Sequence, residues 1–408
     1  MDPFTISGRA LRGVTVGILL AFMAALVGCA SPVPEPFEQD VYVWQRNWTP
    51  AVALAVRQAA AHVSSLRVLA AEVGPNARIA VPRIDFGVLL ASARPVVAVV
   101  RLDGRLEQMA APVSRLVPRI LAEWHGAGLT PSTVEIDFDC PRSRLADYEL
   151  VLRQVRRSLP PAIRLSITSL PDWLKSSALE GVLASSDASV LQVHAVDGQA
   201  TRLVDPARTR IWIRQYSRRT SHPFQVALPA YGSTLLKDSD GDVIAVESES
   251  PQWLSGLRRV DLAADPVEIS ELVHRIRSDA VAHFAGIAWF RLPTADDQRA
   301  WSFGTWLAVV EGRTLSRHID VVARTDRGSG SVDIVLVNYG AVDAPAPREI
   351  TLMPACTDAD AVNGYELTGA SGLGIFRRSS AVILPAGRFL IVGWMRCDAS
   401  TTRIQIHD

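Results

Sequence analysis

Glu135-Ile136-Asp137-Phe138-Asp139 sets three carboxylates on one face of an extended segment and two apolar side chains on the other. Successive side chains of a strand alternate faces, so residues two apart lie about 7 Å from each other on the same side. Gly128 and Pro131 open the segment and Cys140-Pro141 closes it, which bounds it as a strand. Three like charges on one face repel one another and raise at least one pKa. The chain either uses that acid stack or neutralises it with cations.

Working outward, residues 41–48, 66–73, 95–103, 163–169, 188–194, 224–229 and 285–291 form further strand candidates around the acidic one at 133–139. Most are near-continuous apolar runs, the pattern of parallel strands covered by helices. Residues 112–126, 145–158 and 267–284 carry apolar positions three and four apart and predict helices. Eight strand–helix units in roughly 270 residues match an α/β (β/α)8 TIM-like barrel, placed at residues 41–313. Residues 78–93 add an extra strand or a long loop. Residues 235–244 read as a hairpin around Asp240-Gly241. Its acids fail as a calcium loop, because glycine falls one place early and no Glu holds the twelfth position. From residue 314 to 408 the texture becomes short runs, at 318–324, 332–338, 348–352, 381–384 and 389–395, split by Gly, Pro, Asp and Asn. That predicts a small antiparallel β-sandwich, an accessory domain.

The N-terminus predicts a compartment. Arg9 and Arg12 precede an apolar run from Val14 to Val27, which ends in Leu26-Val27-Gly28-Cys29. A basic start, about 14 apolar residues and small residues before the break describe an export signal; a membrane span needs roughly 20. The ending resembles the lipobox of bacterial lipoproteins. That resemblance implies a signal peptide at 1–28, a lipid on Cys29 and, with Ala30 following, the outer membrane. Residues 29–40, with three prolines among Ser31 to Gln39, read as a tether. Removing residues 1–28 leaves 40 basic and 41 acidic residues, a balance that argues against nucleic acid as partner. Cys356 and Cys397 fall in one β region of an exported chain and pair by default as a disulfide. Cys140 reads as a buried structural thiol.

Active sites of parallel barrels lie at the C-terminal strand ends. Trp44, Arg46, Trp48, Glu72, Arg101, Asp103, Asp137, Asp139, Thr168, Trp173, Gln192, His194, Tyr231, Trp289 and Arg291 fall there. Rings beside carboxylates and hydrogen-bonding groups suit a sugar. No spacing completes a metal cage, no Gly-rich loop cradles phosphate and no nucleophile triad is present, so no metal or cofactor is expected.

The segments Val134-Glu135-Ile136-Asp137-Phe138-Asp139, Leu165-Ser166-Ile167-Thr168, Val190-Leu191-Gln192-Val193-His194, Val226-Ala227-Leu228-Pro229-Ala230-Tyr231-Gly232 and Gly286-Ile287-Ala288-Trp289-Phe290 resemble strands four to eight of family-18, chitinase-like glycoside hydrolases. With Ile136-Asp137-Phe138-Asp139-Cys140-Pro141 and Ala227-Leu228-Pro229-Ala230-Tyr231-Gly232, the chain is more closely similar to an uncharacterised bacterial family of exported proteins, domain of unknown function 3142. The match departs in two places. Pro141 stands where the chitinase-like proton-donor Glu is expected, and His194-Ala195 stand where a Tyr-Asp pair is expected.

Two functions remain open. In the first, an envelope or extracellular glycan is hydrolysed: Glu72 donates the proton, Asp139 across the mouth activates water or attacks, and Asp137 orients Asp139. Trp44, Trp48, Arg101, Asp103, Trp173, Gln192, His194, Tyr231, Trp289 and Arg291 would then bind substrate. In the second, the barrel has lost its donor and holds a glycan on Trp44, Trp173 and Trp289 without turnover.

Overall fold

The structure is a computed structural model that describes residues 37–194, 202–247, 256–325, 331–353, 358–368, 374–379, 382–396 and 403–407. The expected signal peptide, the lipidated Cys29 and the Cys356–Cys397 disulfide lie outside those residues.

Eight parallel strands close a barrel: β1 (Glu38–Val43), β2 (Leu66–Val73), β3 (Val96–Leu102), β4 (Thr133–Phe138), β5 (Arg164–Ser169), β6 (Ala188–Gln192), β7 (Phe224–Pro229) and β8 (Phe284–Phe290). Each pairs in parallel with the next, and β1 joins both β2 and β8, which shuts the cylinder. Helices α1 (Pro50–Ala59), α2 (Phe86–Ser92), α3 (Leu106–Gly126), α4 (Leu145–Ser158), α5 (Leu179–Ala184), α6 (Pro206–Ser217), α7 (Pro266–Ser278) and α8 (Phe303–Val310) follow the strands. Their starts are legible in the sequence. Thr49-Pro50, Asp205-Pro206 and Asp265-Pro266 each place a capping oxygen before a proline. Those oxygens accept from Val52, Arg208 and Val267 N–H at 3.3, 3.0 and 2.9 Å. Each such cap contributes about 1 kcal/mol.

The alternation read in the acidic strand holds. Ile136 and Phe138 face outward, and Phe138 meets Tyr148 of α4 edge-on at 5.3 Å. Glu135 and Asp137 face the barrel axis, among Tyr42, Trp44, Leu69, Val97, Val99, Val190, Ala227 and Ala288.

Both boundaries of β1 differ from expectation. β1 begins at Glu38, inside the segment expected as tether, because Gln39 and Asp40 register against Ile287 and Ala288. Asp40 is polar because it serves an ion pair inside the barrel, so hydropathy hid the strand start. β1 also ends at Val43, so Trp44 to Trp48 form a connection. Residues 78–93 hold a two-residue antiparallel strand, Ile79–Ala80, and α2. The expected hairpin is present as Gly232–Lys237 with Val243–Glu247, and Arg258–Ala263 adds a third antiparallel strand.

From Ile319 the chain forms two antiparallel four-stranded sheets and a short two-stranded one. Ile334, Leu336, Ile350, Phe376, Val392 and Met395 are buried in one core between the larger two. Asp343 ties this region to the start of α8, accepting from Ser302 N–H at 2.7 Å and its hydroxyl at 2.6 Å.

Candidate functional site at the barrel mouth

The three acids of β4 and its end lie at three depths. Glu135, fully buried, accepts the Tyr42 hydroxyl at 2.7 Å and the Ser166 hydroxyl at 2.9 Å, and pairs with Arg67. Arg67 also holds Asp40 at 2.9 Å and donates to Gln225 at 2.6 Å. Burial pushes the Glu135 carboxyl above its ordinary value, and Arg67 works against that rise. Removing one member of such a buried network strands the others, which is why it comes as a set.

One step toward the mouth, Asp137 accepts from Thr168 Oγ1 at 2.8 Å, Gln192 Nε2 at 3.0 Å and Arg101 Nη1 at 3.1 Å. The register places these donors: Glu72, Arg101 and Asp137 stand side by side on β2, β3 and β4. Burial raises the Asp137 carboxyl, and Arg101 pulls it back. Beyond the last residue of β4 comes Asp139. It reaches solvent, and among the described residues it has no hydrogen-bond or ion-pair partner. Enclosure on its other sides raises its carboxyl; Arg101 offsets that, and Asp103 adds repulsion. Asp137 is held by three donors, and the charge of Asp139 adds to its rise, so the two carboxyls titrate as a coupled pair.

The expected Glu72–Asp139 pair across the mouth does not form. β2 and β4 are separated only by β3, so the two acids stand on the same side of the cylinder. Arg46 grips Glu72 through Nε and Nη2, both at 2.7 Å. A two-pronged guanidinium engages both oxygens of the carboxylate, so neither is left free for a leaving oxygen. Across from β4, four strands away, stands β8, with Phe290 and then Arg291. Arg291 is held by Asp297 at 2.6 Å and lies 5.4 Å over the Tyr231 ring.

The tryptophans correct a second expectation. Trp289 takes the outward register on β8, is fully buried, and bonds Gln39 at 3.2 Å. Trp173 is buried behind β4, its indole N–H donating to Cys140 O at 2.8 Å. Trp44 does point inward but is packed against Phe290 at 5.1 Å and Tyr42 at 6.0 Å, with the Arg101 guanidinium 5.8 Å over its ring. None of the three offers an open face for a sugar. Trp48 lies on the connection after β1, its indole N–H buried without a partner. The rings nearest the axis are instead Phe290, His194 and Tyr231. His194 stacks on Phe290 at 5.8 Å and meets Tyr231 edge-on at 6.2 Å. Burial pushes its imidazole down to about 4, so it is neutral near pH 7. Phe290, Tyr42 and Arg67 were missed. Strand alternation from Trp44 would have found Tyr42, and alternation along β8 would have found Phe290; only the closed cylinder brings Arg67 to Glu135.

Pro141 lies on the turn after the strand, two residues past Asp139, and Cys140 is a buried thiol pushed up to about 12 by that burial. Beside the mouth a cleft of about 350 Å³ runs between the connection after β1 and the segment after β8. Among the described residues no group of three His, Cys, Asp or Glu is placed to hold a metal ion.

The family model of a Domain of unknown function (DUF3142) matches residues 92–295, and that of another Domain of unknown function (DUF8456) matches residues 321–398. No curated protein matches the chain. Among solved structures, the Bacillus cereus spore cortex-lytic enzyme SleL is 13% identical, with a TM-score of 0.50 over 68% of this chain and 75% of that one. SleL of Bacillus megaterium QM B1551 is 12% identical, with a TM-score of 0.51 over 70% and 76%. A chitinase from Chromobacterium violaceum ATCC 12472 is 12% identical, with a TM-score of 0.48 over 68% and 98%. At these identities the likeness is one of fold.

Proposed function

The chain belongs to the family of the Domain of unknown function (DUF3142), and from that premise we propose that it is a glycan-processing hydrolase with Asp139 as proton donor. One observation carries the reading: Asp139, just past β4, has no hydrogen-bond or ion-pair partner among the described residues and is raised in pKa, while Asp137 beneath it is held by three donors. A general acid must be protonated at working pH and within reach of a leaving oxygen. Asp139 reaches solvent and its carboxyl is raised by burial; Glu72 and Asp137 are tied to Arg46 and Arg101. The fold neighbours named as cortex-lytic enzymes act on a spore cortex, in keeping with a glycan for this barrel.

In this reading Asp139 gives its proton to the glycosidic oxygen as the bond to the anomeric carbon breaks. With Glu72 gripped by Arg46 and Asp137 saturated, neither carboxylate is placed to attack. The nucleophile is then water, whose proton returns to the Asp139 carboxylate as the new C–O bond forms, or a group of the substrate itself, outside the two-carboxylate schemes. Arg101 steadies the charge left on Asp139, and Tyr231, His194 and Arg291 line the facing wall.

The test is product detection by mass spectrometry from the full chain on chitin, peptidoglycan sacculi and soluble glycans. Asp139→Asn should lower turnover by about 10²- to 10⁴-fold, and Glu72→Gln should leave the chemical step largely intact. Equal activity in Asp139→Asn and the parent would reject the assignment. Saturable glycan binding with no product would favour the non-catalytic reading.

The Leu26-Val27-Gly28-Cys29 ending supports a lipid on Cys29 and an envelope location, outer membrane by the residue that follows. Incorporation of labelled palmitate, lost in Cys29→Ala, checks this.

A further inference from the structure

Two carboxylates stand side by side at the rim without partners of their own. β3 and β4 run in register, Arg101 beside Asp137 and Leu102 beside Phe138. One residue further, just past both strand ends, come Asp103 and Asp139, and both reach solvent. The Asp103 N–H donates to Val73 O at 2.9 Å, which keeps that backbone against β2. Like Asp139, the Asp103 side chain has no hydrogen-bond or ion-pair partner among the described residues.

The charges around this pair are unevenly shared. Arg101 offsets the charge of Asp139, but four acids draw on it: Asp137, Asp139, Asp103 and Glu72. Asp137 holds it in an ion pair at 3.1 Å, while Glu72 has Arg46 besides. The repulsion from Asp103 is therefore only partly opposed at Asp139. The other groups that face Asp139 are neutral. Tyr148 of α4 and Tyr231 after β7 are buried phenols whose pKa its charge raises further. The Cys140 thiol beside it is pushed up to about 12. On the facing wall His194 is neutral near pH 7, and Arg291, over the Tyr231 ring, is held by Asp297.

We propose that Asp103 is a positioning residue for the proton of Asp139: its fixed negative charge keeps that proton on the donor until the glycosidic oxygen takes it, and afterwards draws one back. The inference rests on the reading of Asp139 as proton donor and deepens it. A like-charged neighbour disfavours ionisation. As the proton leaves Asp139 for the glycosidic oxygen and the bond to the anomeric carbon breaks, two anions face each other across the edge of β3 and β4. The water that attacks the anomeric carbon returns a proton to Asp139, and the repulsion is relieved.

Carbon-13 NMR of the full chain, labelled at its aspartate carboxyls, tests this, the Asp139 signal being the one lost in Asp139→Asn. Asp137 and Asp139 titrate together, so the quantity read is the upper step of the pair. In Asp103→Asn that step should move to lower pH, and Asp103→Glu, which returns the charge, should move it back. The alkaline limb of the pH–rate profile should follow. On that limb turnover in Asp103→Asn should fall about threefold, the order of one unit-charge repulsion across a few ångströms of water, and the loss should shrink toward lower pH. Should circular dichroism show Asp103→Asn misfolded, Asp103→Ser takes its place. An upper step that stays put or rises in a folded neutral variant, or an equal loss of turnover at every pH, would overturn the proposal. Full activity in Asp139→Asn would reject the function instead, and the titration, which needs no turnover, would still decide this inference.

Discussion

Replacing Thr168 by Val tests whether its hydroxyl favours the anionic form of Asp137. The Thr168 hydroxyl donates to Asp137 Oδ1 at 2.8 Å and accepts the Phe138 N–H at 3.2 Å. Valine keeps the shape and removes both bonds. A hydrogen bond to a charged group contributes about 1.5–3 kcal/mol. Its loss moves the Asp137 pKa further up. The unpaired Phe138 N–H adds about 1–3 kcal/mol of loss at every pH. Burial already raises Asp137 above 3.8, and Thr168 pulls it down. Without Thr168 the folded chain keeps that proton to higher pH, while the unfolded chain releases it near the ordinary value. The clamp's contribution is therefore present at neutral pH and lost as pH falls through the folded pKa. Urea unfolding of the full chain from pH 4 to 8 reads this directly. The loss in Thr168→Val should be about 1.5–3 kcal/mol larger at the top of that range than at the bottom. Thr168→Ser, which returns the hydroxyl, should recover most of the difference. An equal loss at both ends would refute the reasoning, because Asp137 would then gain nothing from the clamp as an anion.

Arg67→Met strands Asp40 and Glu135 inside the barrel, at a cost of about 3–5 kcal/mol. For a unit of this length that is a fall of roughly 4–7 °C in Tm by calorimetry, and a fall under about 1 °C would contradict the network. Asp139 has a folded pKa raised above 3.8, so the native chain binds more protons than the unfolded one just above that value, and stability declines as pH rises there. Asp139→Asn should flatten that decline, measured by the same urea series; an unaltered slope would place the proton elsewhere. His194, pushed down to about 4 by burial, should show a neutral imidazole by ¹⁵N NMR at pH 6, and a titration near 6.5 would sink its enclosed position against Phe290.

The class of the fold was legible because its two signals are local. Near-continuous apolar runs alternating with helical periods are what parallel strands under helices require, and the switch to short runs after residue 314 marks the antiparallel sheets. Strand alternation alone put Glu135, Asp137 and Asp139 on the barrel axis. The same alternation, applied to β8, would have turned Trp289 outward and Phe290 inward; an indole's affinity for sugars outweighed it. Trp173 was misread for another reason, since its place depends on a bond to Cys140 O that no spacing announces.

The partners of each acid belong to the tertiary structure. Strand order in a closed cylinder decides which side chains are neighbours, and it set Glu72 two strands from β4, within the grip of Arg46. It also brought Arg67, Tyr42 and Gln225, distant in the chain, around Glu135. From the chain alone came three carboxylates on one strand face and their repulsion. Which of them stays charged, and which holds a proton at the rim, depends on donors from other strands, because a pKa responds to distance in space and not to separation along the backbone.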